Sequence, residues 1–121
     1  MDYEIKPLSD KLGAEVTGLD LRAPLDTQTT TTINNAFVDG VILVFRNQEL
    51  TAQQFFNAAQ QLGEPMDQHL SQYKVPECPM VSYVSNQERS DDGKRKLLGK
   101  AWHTDHSFQP EPPKATMLHG V

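Results

Sequence analysis

The run Val-Ile-Leu-Val-Phe at residues 41–45 constrains the fold more than any other segment of the chain. It is continuous, apolar and mostly β-branched, which is typical of a buried strand. It lies between two segments whose apolar residues recur with helical spacing, residues 28–39 and 49–63. A buried strand between two helices predicts a mixed α+β fold.

Both predicted helices have residues that are typical of helix ends. We expect Asp26 or Thr27 to cap the first helix, and Gly40 to end it. For the second helix, the better patterned of the two, we expect Thr51 as the N-cap and Gly63 as the closing residue.

Short strand patterns lie on both sides of this central region. Residues 3–8 suit a short edge strand, and residues 13–21 suit a strand that bends at Gly18. Three further strand patterns follow the second helix, at residues 80–85, 101–108 and 115–121. The charged segment 86–100 between them predicts a long mobile loop or a hairpin tip. This order predicts a mixed sheet with helices packed on one side.

Length and charge limit the class of protein. The chain has 121 residues, which suggests one domain, and 11 basic against 16 acidic side chains give a formal charge of −5. An acidic chain argues against nucleic-acid and anionic-membrane partners. The charged start and the lack of a long apolar run predict a soluble, cytoplasmic protein. A single cysteine, Cys78, excludes an internal disulfide.

The apolar content is low for a self-contained domain, at 37%. The last residues, 115–121, are apolar and strand-like. We therefore expect residues 1–121 to be the N-terminal part of a single domain whose C-terminal part is absent.

The most chemically suggestive group is Trp102-His103-Thr104-Asp105. Because residues i and i+2 of a strand face the same side, His103 and Asp105 would point together. An imidazole and a carboxylate so placed can bind one divalent metal, and a distant His would complete the facial triad of non-haem Fe(II) oxygenases. The same tripeptide also arises by chance as an exposed His near an exposed Asp. Its position between a polar loop and a proline-rich break favours a site.

Four segments, in this order, resemble the N-terminal part of the taurine dioxygenase family, which includes the dichlorophenoxyacetate dioxygenases. They are GAEVTGLDL (13–21), VILVFRNQELTAQQ (41–54), LGEP (62–65) and WHTDHSFQPEPPKATMLHG (102–120). The last segment is the most specific. The resemblance covers nearly the whole chain.

The resemblance implies a double-stranded β-helix, or jelly roll, with flanking helices, incomplete in this chain. It implies an enzyme that uses Fe(II), 2-oxoglutarate and O2 to hydroxylate a small molecule, releasing succinate and CO2. His103 and Asp105 match its first two iron ligands. The third ligand and the 2-oxoglutarate-binding arginine would lie downstream of residue 121, so this chain alone is expected to be inactive.

The resemblance also implies substrate-binding residues. His69 and Tyr73 match the family's substrate-facing His and Tyr in position, although the spacing is inexact. Gly99 stands where taurine dioxygenases have an Asn, which argues against taurine. Lys100 and the nearby basic cluster favour an anionic substrate.

Two other functions remain open on the sequence. One is a non-catalytic binding module of the same fold. The other is a zinc hydrolase using His103, Asp105 and His119, since zinc sites often have three protein ligands and a water. We expect a small-molecule partner and a possible homo-oligomer.

Overall fold

The computed structural model describes residues 2–67 and 71–121. It divides the chain into two units, Met1–Pro65 together with Val121, and Met66–Gly120. The first unit holds a mixed α/β arrangement with a small sheet, and the second holds a two-stranded sheet followed by irregular chain. Each unit has its own buried residues.

The sheet of the first unit has three strands, β1 (Glu4–Pro7), β2 (Ala14–Thr17) and β3 (Leu43–Phe45). β2 lies in the middle, antiparallel to β1 and parallel to β3. The expected mixed sheet and the edge position of the first strand are confirmed. The strand predicted at 13–21 is shorter than expected: β2 ends at Thr17, because the chain turns at Gly18, whose φ of 82° lies in the left-handed region.

Helix α1 spans Thr27–Gly40, and Asp26 is its N-cap. The Asp26 carboxylate accepts a hydrogen bond of 2.7 Å from the Thr29 N–H. Gly40 is the last residue of the helix, as expected, but the C-cap position after it is taken by Val41, with a φ of 68°. Gly40 stays helical because its carbonyl accepts a 2.8 Å hydrogen bond from the Gly13 N–H, which ties the helix end to the start of β2.

Helix α2 spans Ala52–Leu62, with Thr51 as its N-cap. The Thr51 hydroxyl accepts from the Gln54 N–H at 3.2 Å, and the Gln54 side chain accepts from the Thr51 N–H at 2.9 Å. This reciprocal capping box satisfies two N–H groups that the helix cannot satisfy itself. The expected start and end of this helix are confirmed.

The core of the first unit is formed where α1 contacts β2, β3 and α2. Its buried side chains are Ala14, Val16, Leu19, Leu21, Thr29, Ile33 and Ala58. The prediction of a buried strand at 41–45 is wrong in both its length and its burial. The strand comprises three residues, each half-buried, and Val41 and Ile42 are exposed. β3 lies at the edge of the sheet, which leaves it less covered than a central strand.

The second unit begins with a short 3₁₀ turn, Ser71–Tyr73, and two antiparallel strands, β4 (Lys74–Val75) and β5 (Cys78–Ser82). Tyr73 and Cys78 are buried there. The strand predicted at 80–85 is therefore displaced: it starts two residues earlier and ends at Ser82. The ends of β5 are set by its pairing with β4, and the alternation of apolar residues in the sequence does not reveal that pairing.

Segment 86–100 contains a hairpin tip, as expected. Arg89 pairs with Arg95 in an antiparallel bridge, and the Lys96 N–H donates to the Glu88 carbonyl at 2.8 Å. Gly93 has a φ of 78° at the turn, which a residue without a Cβ adopts easily.

The strands predicted at 101–108 and 115–121 are wrong. Residues 105–108 form turns, His106 has a φ of 50°, and the Gln109 N–H donates to the His106 carbonyl at 3.0 Å. Residues 115–121 have no regular structure. A strand needs a partner for its backbone groups, and in the described ranges neither segment is paired with one.

Within the described residues, no helix combines the length and the apolar character needed to cross a lipid bilayer.

Candidate metal centre

His103 and Asp105 lie together in the irregular part of the second unit. The distance between His103 Nε2 and Asp105 Oδ1 is 3.0 Å. The prediction that these two side chains meet is therefore confirmed in geometry, although the backbone that brings them together is not a strand. The turn that begins at Asp105 brings its carboxylate back to the imidazole.

The other nitrogen of the imidazole has a main-chain partner. His103 Nδ1 lies 2.7 Å from the Ala101 carbonyl oxygen, and a carbonyl can only accept, so Nδ1 carries a proton. An ionised Asp105 carboxylate can likewise only accept, so the 3.0 Å contact needs a proton on Nε2 as well, and a metal ion bound at Nε2 would take the place of that proton. The Ala101 carbonyl, and after it the Asp105 carboxylate, raise the pKa of His103 above its usual value.

Asp105 has a second partner that was not predicted from the sequence. The Thr116 hydroxyl donates a 2.7 Å hydrogen bond to Asp105 Oδ2. This hydroxyl, and after it the His103 imidazole, lower the pKa of Asp105, so the carboxylate stays ionised. Thr116 is a polar side chain in an otherwise largely apolar segment, and that contrast is the one signal that could have identified it.

The chemistry of these donor atoms fits a divalent metal ion. Two ligand atoms bound at a right angle to one ion, with bonds of about 2.1 Å, lie about 3.0 Å apart. Nε2 and Oδ1 have that separation. Both are the donor types of a two-His-one-carboxylate iron site. The two side chains keep 53% and 42% of their surface exposed, so an ion can reach them from solvent.

Gly99 lies against the imidazole. A Cβ at this position would stand 3.5 Å from His103 Cε1, and the glycine has a φ of 66°. A residue with a side chain here would therefore be strained in its backbone, although its Cβ would stand at an ordinary van der Waals distance from the ring.

No third ligand is found with this pair among the described residues, where no cluster of three His, Cys, Asp or Glu side chains could hold a metal. His119 therefore does not join His103 and Asp105 there. The zinc-hydrolase alternative required that cluster, and the described part of the chain does not form it.

The three residues expected to bind substrate differ in burial, and one of them is not described by the structure. His69 lies outside the described residues. Tyr73 is buried, with 6% of its surface exposed, and the Lys96 Nζ stands 5.7 Å from its ring centroid. Lys100 is exposed, three positions before His103. Their roles toward a substrate stay a prediction.

The comparisons with known proteins give the family of the chain. The family model for taurine catabolism dioxygenase TauD and TfdA matches residues 4–121. The alpha-ketoglutarate-dependent sulfate ester dioxygenase of Pseudomonas putida is 30% identical over 122 residues. That alignment covers 100% of this chain and 38% of the relative, so the chain spans well under half of that enzyme's length.

The chain is also similar to solved structures, among them the following two. A taurine dioxygenase from Burkholderia xenovorans superposes with a TM-score of 0.57 at 32% identity, over 64% of this chain and 28% of that one. AAD-2, crystallised in complex with Mn(II) and N-oxalylglycine, has a TM-score of 0.51 at 31% identity, over 54% of this chain and 26% of that one.

Proposed function

We propose, since this chain belongs to the taurine catabolism dioxygenase TauD, TfdA family, that its natural protein is an Fe(II)- and 2-oxoglutarate-dependent dioxygenase. The observation that carries the proposal is the pair of donor atoms His103 Nε2 and Asp105 Oδ1, 3.0 Å apart, with the other imidazole nitrogen held by the Ala101 carbonyl. A third ligand and the arginine for 2-oxoglutarate would come from chain beyond these 121 residues.

The residues of this chain have separate roles at that centre. His103 would offer Nε2 as a neutral ligand, and its proton stays on Nδ1 because the Ala101 carbonyl accepts it. Asp105 would offer Oδ1 and offset part of the metal charge. When bound, Fe(II) with 2-oxoglutarate and O2 supplies the oxidising chemistry that hydroxylates a substrate carbon, with succinate and CO2 as by-products.

We propose a small anionic substrate. Lys100 is exposed and close in sequence to the ligands, and the hairpin at 86–100 carries further cations. The Tyr73 hydroxyl raises the pKa of Lys96, which keeps that ammonium charged above Tyr73. The relative from Pseudomonas putida is named for sulfate esters, which are anionic. A sulfate ester is therefore the first substrate class to test.

We also propose that the complete domain is a double-stranded β-helix. Large apolar side chains after residue 100 are exposed here: Trp102 at 105%, Phe108 at 73% and Leu118 at 81%. In a closed jelly roll, further strands would cover such side chains. They would also accept hydrogen bonds from the backbone N–H groups of the same segment. The cytoplasmic location and a homo-oligomer stay predictions.

The metal centre is tested by ligand substitution in the full natural protein. We expect the Fe(II)-loaded protein to consume 2-oxoglutarate, and His103→Ala and Asp105→Asn each to lose metal binding and turnover. His119→Ala is the control and should keep both. A native protein that binds no iron and consumes no 2-oxoglutarate would instead indicate a non-catalytic module. Loss of metal binding in His119→Ala would indicate that His119 is a ligand, as the zinc-hydrolase alternative requires.

The substrate class is tested on Lys100. Lys100→Met should raise KM for a short alkyl sulfate about tenfold, since a lost charged contact of about 1.4 kcal/mol is a factor of ten. Lys11, an exposed lysine of the first unit, provides the matched control, because Lys11→Met should leave KM unchanged. Equal KM values for the Lys100 variant and the native enzyme would contradict a role for Lys100.

A further inference from the structure

The hydrogen bond from Thr116 to Asp105 joins two segments that are distant in sequence. The two residues are eleven positions apart, and the chain between them contains the prolines at 110, 112 and 113. Thr116 Oγ1 lies 2.7 Å from Asp105 Oδ2, a normal distance for a hydroxyl that donates to a carboxylate.

The two oxygens of Asp105 therefore have different partners. Oδ2 accepts from the Thr116 hydroxyl, whereas Oδ1 faces His103 Nε2 at 3.0 Å. A carboxylate with a single fixed contact can rotate about its terminal torsion, which is broad, and can offer either oxygen or both to an ion. With Oδ2 held by the hydroxyl, the orientation with Oδ1 toward the imidazole is favoured.

We propose that Thr116 is a positioning residue of the metal centre, whose hydroxyl holds Asp105 so that Oδ1 alone is offered to the metal. The inference rests on the proposed function, because it assumes that His103 and Asp105 hold an ion. A one-oxygen ligand takes one coordination position, and the positions that remain are those which 2-oxoglutarate and O2 require. Groups that orient a metal ligand in this way usually affect affinity strongly.

The local chain supports this role. The prolines before Thr116 preset the φ angles of the connecting segment, so less chain entropy is lost when Thr116 reaches Asp105. Thr104 has the same side chain and lies between the two ligands, but no hydrogen bond of its hydroxyl is found among the described residues. Thr104 is therefore a control of the same residue type that lacks the hydrogen bond to Asp105.

The test compares the Mn(II) affinity of four proteins, all as the full natural chain, by titration with the EPR signal of free Mn(II) as the readout. Thr116→Val, which keeps the shape and removes the hydroxyl, should weaken Mn(II) binding about ten- to hundredfold. Thr116→Ser should restore native affinity, because it restores the donor. Thr104→Val should bind as the native protein does.

The outcomes separate this inference from the proposed function. Native affinity in Thr116→Val, with binding lost in His103→Ala, would overturn the role of Thr116 and leave the metal centre intact. Absence of Mn(II) binding in the native protein would overturn both. If Thr116→Val does not fold, as judged by circular dichroism, Thr116→Ala is titrated in its place, and native Mn(II) affinity in a folded Thr116→Ala protein would overturn the role of Thr116.

Discussion

The proton on the His103 imidazole is placed by the main chain. The Ala101 carbonyl, 2.7 Å from Nδ1, belongs to the peptide backbone, so substitutions of the side chain at 101 leave this acceptor in place. Nε2 remains the atom for a metal, and Asp105 receives its own separate support from Thr116. At the residue scale, the centre thus consists of two ligands, each oriented by a different kind of partner.

Gly18 is a residue outside the site whose substitution we expect to be costly. It has a φ of 82°, and an added Cβ would lie 2.7 Å from the Asp2 carbonyl oxygen. Gly18→Ala should lower the free energy of unfolding by at least about 1–2 kcal/mol, the cost of the left-handed backbone alone. Gly63→Ala is the control, since a Cβ there meets nothing within 4 Å. Urea unfolding of the two variants measures the difference, and equal midpoints would contradict the expectation.

The two helices begin with caps of different chemistry. α2 uses the neutral pair Thr51 and Gln54, whereas α1 uses the Asp26 carboxylate. The Thr29 backbone N–H, and after it the Thr29 side chain, lower the pKa of Asp26. An ionised cap also interacts favourably with the positive end of the helix. At the element scale, one helix therefore has a cap that depends on pH and the other does not.

The pH dependence of the Asp26 cap has a definite sign. Because its folded pKa lies below the unfolded value of about 3.9, the unfolded chain binds more protons in that range. The stabilisation is complete above about pH 4 and is lost as the pH falls through the folded pKa. Asp26→Asn keeps an acceptor but does not titrate, so its unfolding free energy should fall less steeply than that of the native protein below about pH 4. Urea unfolding between pH 5 and 2.5 measures both slopes, and parallel curves would refute a titrating cap.

At the scale of the whole molecule, the described chain joins a well-packed first unit to a second unit with little regular structure. Few residues of the second unit are buried, among them Tyr73 and Cys78, and large apolar side chains after residue 100 are exposed. The candidate centre lies in this second unit. An ion bound there would add ligand bonds to a unit in which few residues are buried.

Metal binding should therefore raise the stability of the full natural protein. An ion that binds only the folded state adds about 2.7 kcal/mol when its concentration is 100 times Kd. We expect Mn(II) with 2-oxoglutarate to raise Tm in the native protein and to leave Tm unchanged in Asp105→Asn. Differential scanning calorimetry is the measurement, and the same rise in the variant would place the ion elsewhere.

The sequence by itself determined the features that depend on neighbours within about four residues. Both helices and the cap at Thr51 follow from hydrogen bonds and periodicity inside short segments, whereas the sequence left Asp26 or Thr27 for the first cap and a mobile loop or a hairpin tip for the segment around Gly93. The order of motifs also determined the family, which the family model over residues 4–121 confirms. These interactions form wherever the segment is placed, so the local pattern is sufficient to predict them.

Only the tertiary structure decided which segments pair and which side chains meet across a long stretch of chain. β3 proved to be a half-buried edge strand, 101–108 formed turns instead of a strand, and Thr116 reached Asp105. The reason is physical. A strand exists only when another segment satisfies its backbone groups, and a contact eleven residues apart forms only when the chain reverses between its ends. Alternation of apolar residues reports neither condition.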